Sequence, residues 1–261
     1  MGLLSRSDVD RTVYKTPPIS IFRSDLLIGY NPAVSDVAFE DIWPTGGTRT
    51  WITTAAVVDI VSDDANDTAA GTGARSLDLI GLDDDLNIIT ETIAMNGLTS
   101  VQTTQLFKRI SLAEVATTGT VATSNTNPAA GKISLSSGGD LQMTIEPTSD
   151  GGSTGRQTSL FGTIPAEFTG YIDSLIVNTD PRNDMSVNLF TRRVEDLSGG
   201  AFTPRLQPLK VFFPSGLGQL AFPNPIVLPA RHDIWMTAKN IGTPGDLEIN
   251  INAVVRLVKN G

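Results

Sequence analysis

The chain has 261 residues, of which 40% are hydrophobic and 18% charged, with a formal net charge of −9 and no cysteine. This length is enough for one large β domain or two small ones. The lack of cysteine excludes disulfides, zinc-thiolate sites and cysteine nucleophiles, the acidic balance argues against nucleic-acid binding, and no apolar run approaches the ~20 residues of a membrane span.

Residues 1–40 carry Pro17-Pro18 and Asn31-Pro32 and show no sustained hydrophobic period. Because proline fixes its own φ and biases the preceding residue toward extended conformations, we predict an extended N-terminal arm with one short strand near Ile19–Phe22. An ordered arm implies a contact, for example with a neighbouring subunit. Met1–Arg6 lacks the features of a signal peptide, so we expect a protein made in the cytoplasm.

A first β domain is predicted over residues 41–147. Its strands are rich in Thr, Val and Ile and are separated by turn residues, as half-buried strands are. They are predicted at Trp51–Val61, at Leu77–Leu82 and Leu86–Met95 as a hairpin around Asp83–Asp85, at Leu98–Val101 after an Asn96-Gly97 turn, at Leu106–Val115, and at Ile133–Leu135 and Leu141–Ile145 as a second hairpin.

Residues 148–158 are polar and rich in glycine, and they predict a linker to a C-terminal β-sandwich over residues 159–261. Strands are predicted there at Ser159–Ile164, Gly170–Asn178, Asp184–Arg193, Lys210–Phe213, Ile226–Leu228, Asp233–Lys239 and Leu247–Val258. The last has the clearest alternation of apolar and polar residues. No useful helical period exists, so the predicted fold is all-β, with two sandwich- or jelly-roll-like domains.

Candidates for chemistry are few. His232 is the single histidine, and Asp233 beside it would point to the opposite face of a strand, so a catalytic pairing of the two is disfavoured. Asp63, Asp64 and Asp67, like Asp83–Asp85, are better explained by turn geometry than by calcium. No spacing selects a carboxylate pair from Glu91, Glu114, Glu146, Glu167 and Asp173. The sequence therefore predicts no catalytic residue, cofactor or metal site, and no enzyme.

Aromatic residues offer two interpretations. Trp43, Trp51 and Trp235, with Tyr14, Tyr30 and Tyr171, could form a sugar-binding surface, but packing in a core or an interface is the preferred role. Phe202, Phe212, Phe213 and Phe222 lie among prolines and suit either a core edge or a subunit contact.

Several stretches between roughly Thr72 and Val258 form a recognisable series: Gly73–Asp83, Glu91–Ile93, Asn96-Gly97, Phe107–Ile110, Gly119, Gly131–Ile133, Ile164–Ala166, Gly170–Ile172, Pro225–Ala230 and Asp233-Ile234. Together they resemble a loosely defined family of virion structural proteins from tailed, often marine, bacteriophages.

The resemblance implies a virion component assembled in the host cytoplasm, without an enzymatic role. Our first hypothesis is a capsid decoration or cement protein that acts as a homotrimer. Its partners would be further copies of itself and the major capsid protein or other virion proteins, with no nucleic acid and no membrane. The alternative is a neck, tail or fibre component that contacts a host receptor or glycan. A tail-borne glycan depolymerase is a third hypothesis, and it would need two convergent carboxylates.

Overall fold

A computed structural model describes residues 22–120, 129–147, 155–179, 184–198, 206–214, 216–242, 244–245 and 247–260. Within these ranges the chain is all-β, as predicted, and the only helical element is a 3₁₀ helix at Val194–Ser198. None of the described helical structure is long and apolar enough to cross a membrane. The strands are β1 (Phe22–Val34), β2 (Glu40–Asp41), β3 (Asp59–Ser62), β4 (Ala74–Leu82), β5 (Ile88–Ala94), β6 (Val101–Gln102), β7 (Arg109–Thr118), β8 (Ile133–Ser137), β9 (Asp140–Ile145), β10 (Phe161–Thr163), β11 (Phe168–Thr179), β12 (Met185–Arg193), β13 (Leu206–Phe213), β14 (Leu217–Leu228), β15 (His232–Asn240) and β16 (Leu247–Lys259).

Strands from both ends of the chain form a β-sandwich, which we call the sandwich domain. One sheet has the strand order β1-β16-β11-β14, and the other has the order β10-β15-β12-β13 with β2 also paired to β15. The predicted alternation of β16 is confirmed, because every second residue from Leu247 to Leu257 is buried in the core shared by the two sheets. Such a period of two places one face of the strand in the core.

A second unit, the inserted domain, contains β3 to β9. Its two sheets have the strand orders β6-β3-β8-β9 and β5-β4-β7, and residues from both sheets share one core. Both predicted hairpins are confirmed, since β4 pairs with β5 and β8 pairs with β9. Gly138 and Gly139 have φ values of 60° and 89° at the second turn, where the left-handed conformation favours glycine.

Two local predictions in the inserted domain are wrong. Gly97 has a φ of 59°, as a turn requires, but the strand predicted after it at Leu98–Val101 is replaced by the two-residue β6, Val101–Gln102, which pairs with β3 of the other sheet. The turn therefore moves the chain from one sheet to the other. The strand predicted at Trp51–Val61 is reduced to β3, because residues near Trp51 lie against the sandwich domain instead of joining a ladder.

The N-terminal segment is placed differently from the predicted arm. β1 pairs with β16 over eleven register positions, and β2 pairs with β15, so residues 22–41 belong to the sandwich domain of the same chain. Residues 1–21, including the strand predicted near Ile19–Phe22, lie largely outside the described residues, as do residues 148–154 of the predicted linker.

The chain therefore enters the sandwich domain, leaves it, and returns. The backbone N–H of Leu160 donates to the carbonyl of Ile42 at 2.9 Å, so the points of exit and return lie side by side. The domain order predicted from sequence, with residues 41–147 and 159–261 as consecutive units, is replaced by an insertion between β2 and β10.

The two domains share a hydrogen-bonded and apolar junction. On return, the chain follows β7, with the N–H of Val115 donating to the carbonyl of Gly155 at 2.7 Å. At another point Leu82 and Leu86 pack against Val194, the first residue of the 3₁₀ helix. These contacts hold one outer face of the sandwich domain against the inserted domain, and that face carries the candidate site.

Candidate binding site

The site begins with one face of the β12–β15 strand pair. Alternate residues of these strands, such as Leu189 and Met236, point into the sandwich core, so the residues between them point outward. Those outward residues form three directly opposed cross-strand pairs: Asn188 with Thr237, Phe190 with Trp235, and Arg192 with Asp233. This outer face is polar and aromatic, yet it is buried beneath residues 41–52 and part of the inserted domain.

Asp233 is the charged centre of this face. It is 0% exposed, and its two carboxylate oxygens accept hydrogen bonds from Nε and Nη2 of Arg109 at 2.7 and 2.9 Å. Thr163 Oγ1 donates to the same carboxylate at 2.7 Å. Arg109 belongs to β7 of the inserted domain, so this bidentate ion pair joins the two domains.

Trp51 lies at the meeting point of three arginines. The guanidinium carbons of Arg49, Arg109 and Arg192 lie 4.8, 5.0 and 5.0 Å from its ring centroid. Arg192 also lies 5.0 Å from the ring of Trp235. Cation–π attraction to the indole rings partly offsets the loss of water by these buried cations.

The three tryptophans of the chain, which are far apart in sequence, belong to one cluster. Trp51 lies 5.8 Å from both Phe161 and Trp235, and Trp43 lies 5.8 Å from Phe161, all in edge-to-face geometry. Trp43 and Trp235 are buried, in agreement with the packing role preferred from the sequence. Trp51 is half-buried and faces a cavity, where a ligand could contact it.

Arg49 is buried beside this cluster. Its guanidinium donates to Oε1 of Gln142 at 2.9 Å through Nη2, while its backbone N–H donates to Asp41 at 2.8 Å. Burial, with repulsion from Arg109 as the next cause, lowers the pKa of Arg49 to about 9. The guanidinium is therefore still protonated at neutral pH, but it is held in a position that disfavours its charge.

Arg192 is the least satisfied cation of the site. Its Nε and Nη2 atoms are buried and have no hydrogen-bond acceptor among the described residues. Nη2 lies 3.6 Å from Asp233, an ion-pair distance that is too long for a hydrogen bond. Burial also lowers the pKa of Arg192, and attraction to Asp233 opposes this effect.

A cavity of about 520 Å³ opens on this face. Its charged lining consists of Arg49, Arg192 and Lys210 against Asp41, which gives three positive charges and one negative, a net of +2 in a chain of net charge −9. The volume lies in the usual range for small-molecule sites. The arrangement can bind an anion, and the chemistry it offers is recognition, by guanidinium donors and aromatic rings.

His232 and Asp233 do not form a catalytic pair. The Nδ1 atom of His232 contacts the carbonyl of Ala230 at 2.8 Å, while the carboxylate of Asp233 faces Arg109. The two side chains point to opposite sides of β15, as the strand period predicts. Asp233 is a central residue of the site, but through its ion pairs and not through the histidine.

The carboxylates of the acidic clusters stabilise turns and loops by accepting hydrogen bonds. Asp67 is fully buried and accepts hydrogen bonds from Ser62 Oγ and from the N–H groups of Ala74, Ala130 and Gly131 at 2.6–3.0 Å. Four of the five other cluster residues accept similar hydrogen bonds from the backbone: Lys132 N–H donates to Asp63, Asn66 N–H to Asp64, Asn87 N–H to Asp83, and Ala55 N–H to Asp84. No group of three or more metal-ligating side chains occurs among the described residues.

The carboxylates considered for acid–base chemistry have separate partners. Glu91 accepts hydrogen bonds from Thr104, Glu146 pairs with Lys132, Glu167 pairs with Lys259, and Asp173 pairs with Arg256. Glu114 lies on β7 at an isolated bridge to Arg156. The structure assigns none of the five to the cavity.

The remaining aromatic residues have mixed environments. Tyr171 lies under the guanidinium of Arg256 at 4.8 Å, and Tyr30 is part of β1. Phe213 is buried in the sandwich core and Phe222 packs against it, whereas Phe212 is 55% exposed. Tyr14 and Phe202 lie outside the described residues.

Arg49, Arg109 and Arg192 are the site residues that sequence reasoning missed. A usable sequence signal existed for Arg192 and Asp233, because each is a charged residue within a predicted strand, Asp184–Arg193 or Asp233–Lys239, next to apolar residues. A charge in such a position needs a partner. Nothing local indicated Arg49 and Arg109, which come from distant parts of the chain.

Comparisons with known proteins add little. No protein-family model matches the chain, and no curated protein matches it. Among solved structures, a chain in the crystal structure of the infectious bursal disease virus VP2 subviral particle matches with 8% sequence identity and a TM-score of 0.18. The match covers 98% of this chain and 82% of the VP2 chain. A TM-score of this size carries no argument about fold or function.

Proposed function

We propose that this chain is a non-enzymatic structural protein of a tailed-bacteriophage virion, which decorates the capsid shell as a homotrimer. The motif resemblance described from the sequence suggests the particle. The structural observation that supports self-association is the exposure of β14, a long strand at the edge of its sheet among the described strands.

Among the described strands, β14 spans twelve residues at the edge of its sheet, and its Leu217 and Val227 side chains are 76% and 58% exposed. An edge strand presents unpaired backbone groups, and folded proteins usually cover, twist or interrupt it. Pro223 and Pro225 interrupt the second half, but Leu217–Phe222 contains no proline. A neighbouring copy whose own, different sheet edge pairs with this half would cover the backbone groups and the side chain of Leu217, and such a head-to-tail contact can close into a trimer.

The test is copy number in purified particles, measured by quantitative mass spectrometry against the major shell protein. A decoration protein is expected at about one copy per shell protein or a simple fraction of it, because it follows the symmetry of the shell. Absence of the chain from purified particles would overturn the proposal.

A neck, tail or fibre component is the second candidate. The cationic and aromatic cavity favours it, because a cavity of this size suits contact with a receptor or glycan more than a purely mechanical role. A copy number far below that of the shell protein would select this candidate over capsid decoration.

A further inference from the structure

We propose that the cavity between β12, β13, β15 and residues 39–51 binds a carboxylate-bearing sugar, that is, an acidic saccharide of the uronic-acid type. The inference goes beyond the proposed function, because it concerns the isolated chain and holds wherever the chain lies in a particle. It rests on the charge of the cavity, on its uncharged polar groups and on its aromatic wall.

The charge of the cavity selects an anion. Arg49, Arg192 and Lys210 outweigh Asp41 in the lining, and Asp233 behind them is already held by Arg109 in a bidentate pair. The buried Nε and Nη2 donors of Arg192 lack acceptors among the described residues. Unsatisfied buried donors next to an excess of positive charge are stabilised by an incoming oxyanion, and guanidinium groups match carboxylate geometry well.

The neutral lining selects a ligand with hydroxyl groups and an apolar face. Thr48, Asn188, Gln207 and Thr237 line the cavity and supply hydroxyl and amide groups, which both donate and accept hydrogen bonds. Gln207 Nε2 donates to Asn188 Oδ1 at 2.8 Å, so these two amides already form a small network. Such groups recognise alcohols, and a simple inorganic anion would leave them unused.

Aromatic side chains complete the wall. Phe39, Trp51, Phe190 and Trp235 all line the cavity, and Phe39 is 40% exposed. Aromatic surfaces pack against the C–H face of a sugar ring, which is apolar. An anionic group, several hydroxyls and an apolar ring face occur together in acidic saccharides, whereas phosphate and sulfate have only the first of these features.

Tryptophan fluorescence of the full chain tests the inference directly. The chain contains three tryptophans, and all of them belong to the cluster at this cavity, so any change of intrinsic emission reports on the site. D-glucuronate is the probe, with D-glucose and inorganic phosphate as comparisons at matched ionic strength. We expect a saturable change with glucuronate and none with glucose or phosphate over the same concentrations.

Two neighbouring arginines give a matched pair of variants. Arg192→Gln is expected to weaken glucuronate binding at least about tenfold, because a charge-assisted hydrogen bond is lost. Arg193→Gln changes the next residue of the same strand, whose side chain is 61% exposed and interacts with Glu195 away from the cavity. Its affinity is expected to equal that of the unmodified chain.

If Arg192→Gln does not fold, Lys210→Gln is a second variant in which the effect of a cavity cation on glucuronate binding can be measured. Lys210 lies at the exposed rim of the cavity, and its removal is expected to weaken binding by about two- to fivefold. Equal binding of glucose would overturn recognition of the charge, and equal binding of phosphate would overturn the assignment to a sugar. No saturable response to glucuronate, or equal losses in Arg192→Gln and Arg193→Gln, would overturn the site itself.

Discussion

At the scale of single residues, the molecule is organised by Asp233. This fully buried carboxylate lies 2.7 Å from Nε of Arg109 and 3.6 Å from Nη2 of Arg192, and it compensates cations from two domains. A buried ion pair adds little net stability over an apolar substitute, but removal of one partner leaves the other charge buried and unpaired. Asp233 should therefore be much less tolerant of substitution than exposed acidic residues.

We expect Asp233→Asn to lower the free energy of unfolding by ~3–5 kcal/mol, because Arg109 and Arg192 remain buried without a carboxylate. Asp173→Asn is the control, since the Asp173–Arg256 pair is partly exposed and screened by solvent, and it should have only a small effect. Urea denaturation of both variants measures the difference. A loss in Asp233→Asn as small as that in the control would show that the buried network does not need this charge.

The sequence could predict part of this residue-scale picture. Strand periodicity correctly separates His232 from Asp233, and it correctly assigns the apolar residues of β16 to one buried face. The packing role of Trp43 and Trp235 also follows from their size and their flanking residues. The meeting of Arg49, Arg109 and Arg192 at Trp51 could not be predicted, because Arg109 and Arg192 lie more than fifty positions from Trp51 in the sequence.

At the scale of elements, β1 shows that a local sequence pattern can predict an extended segment but not its pairing partner. Proline at positions 17, 18 and 32 indicates extended chain, and β1 is indeed extended. An extended chain can be a free arm or a strand of a sheet, and only its partner decides between them. The partner is β16, more than two hundred residues further along the chain, which no local pattern can specify.

Two N-terminal truncations distinguish a free arm from a strand of the sandwich domain. Removal of residues 1–21 is expected to leave the cooperative unfolding transition in place, because the truncated chain keeps the whole described span of β1, Phe22–Val34. Removal of residues 1–34 should cost an amount comparable to the whole ~5–15 kcal/mol stability of a domain, since it deletes eleven register pairs and the buried Val34.

Circular dichroism during heating compares the two truncations. An arm that reaches only a neighbouring subunit, as first inferred from the sequence, would leave both truncated chains folded and would abolish assembly alone. Folded chains after removal of residues 1–34 would therefore favour that arm and contradict the contribution of β1 to the sandwich.

At the scale of the whole molecule, the insertion joins two cores into one unit. The sandwich domain draws its strands from both sides of the inserted domain, and Arg109 of the inserted domain neutralises Asp233 of the sandwich. Composition and periodicity predict two β units, and the described residues form one large hydrophobic core in the sandwich domain and another in the inserted domain. They cannot reveal that one unit interrupts the other, because the order of pairing is a property of the folded chain.

Because the inserted domain interrupts the sandwich domain, fragments that correspond to the two predicted domains are expected to differ in their ability to fold alone. Residues 50–147 contain both sheets and the core of the inserted domain, so this fragment is expected to fold alone. Residues 159–261 lack β1 and β2, leaving β16 without a neighbour on one side, and this fragment is expected not to fold. Dispersion of backbone amide signals in NMR spectra distinguishes the two outcomes.

Peptide complementation then tests the missing strands themselves. Addition of a peptide of residues 22–43 to fragment 159–261 should restore a dispersed spectrum, because it supplies β1, β2 and Ile42. The same peptide with Gly29→Val is the control, since even a Cβ at Gly29 would lie 2.5 Å from Cβ of Leu160, too close for the strand to dock. A fragment 159–261 that folds without any peptide, or equal rescue by the two peptides, would contradict the interrupted sandwich.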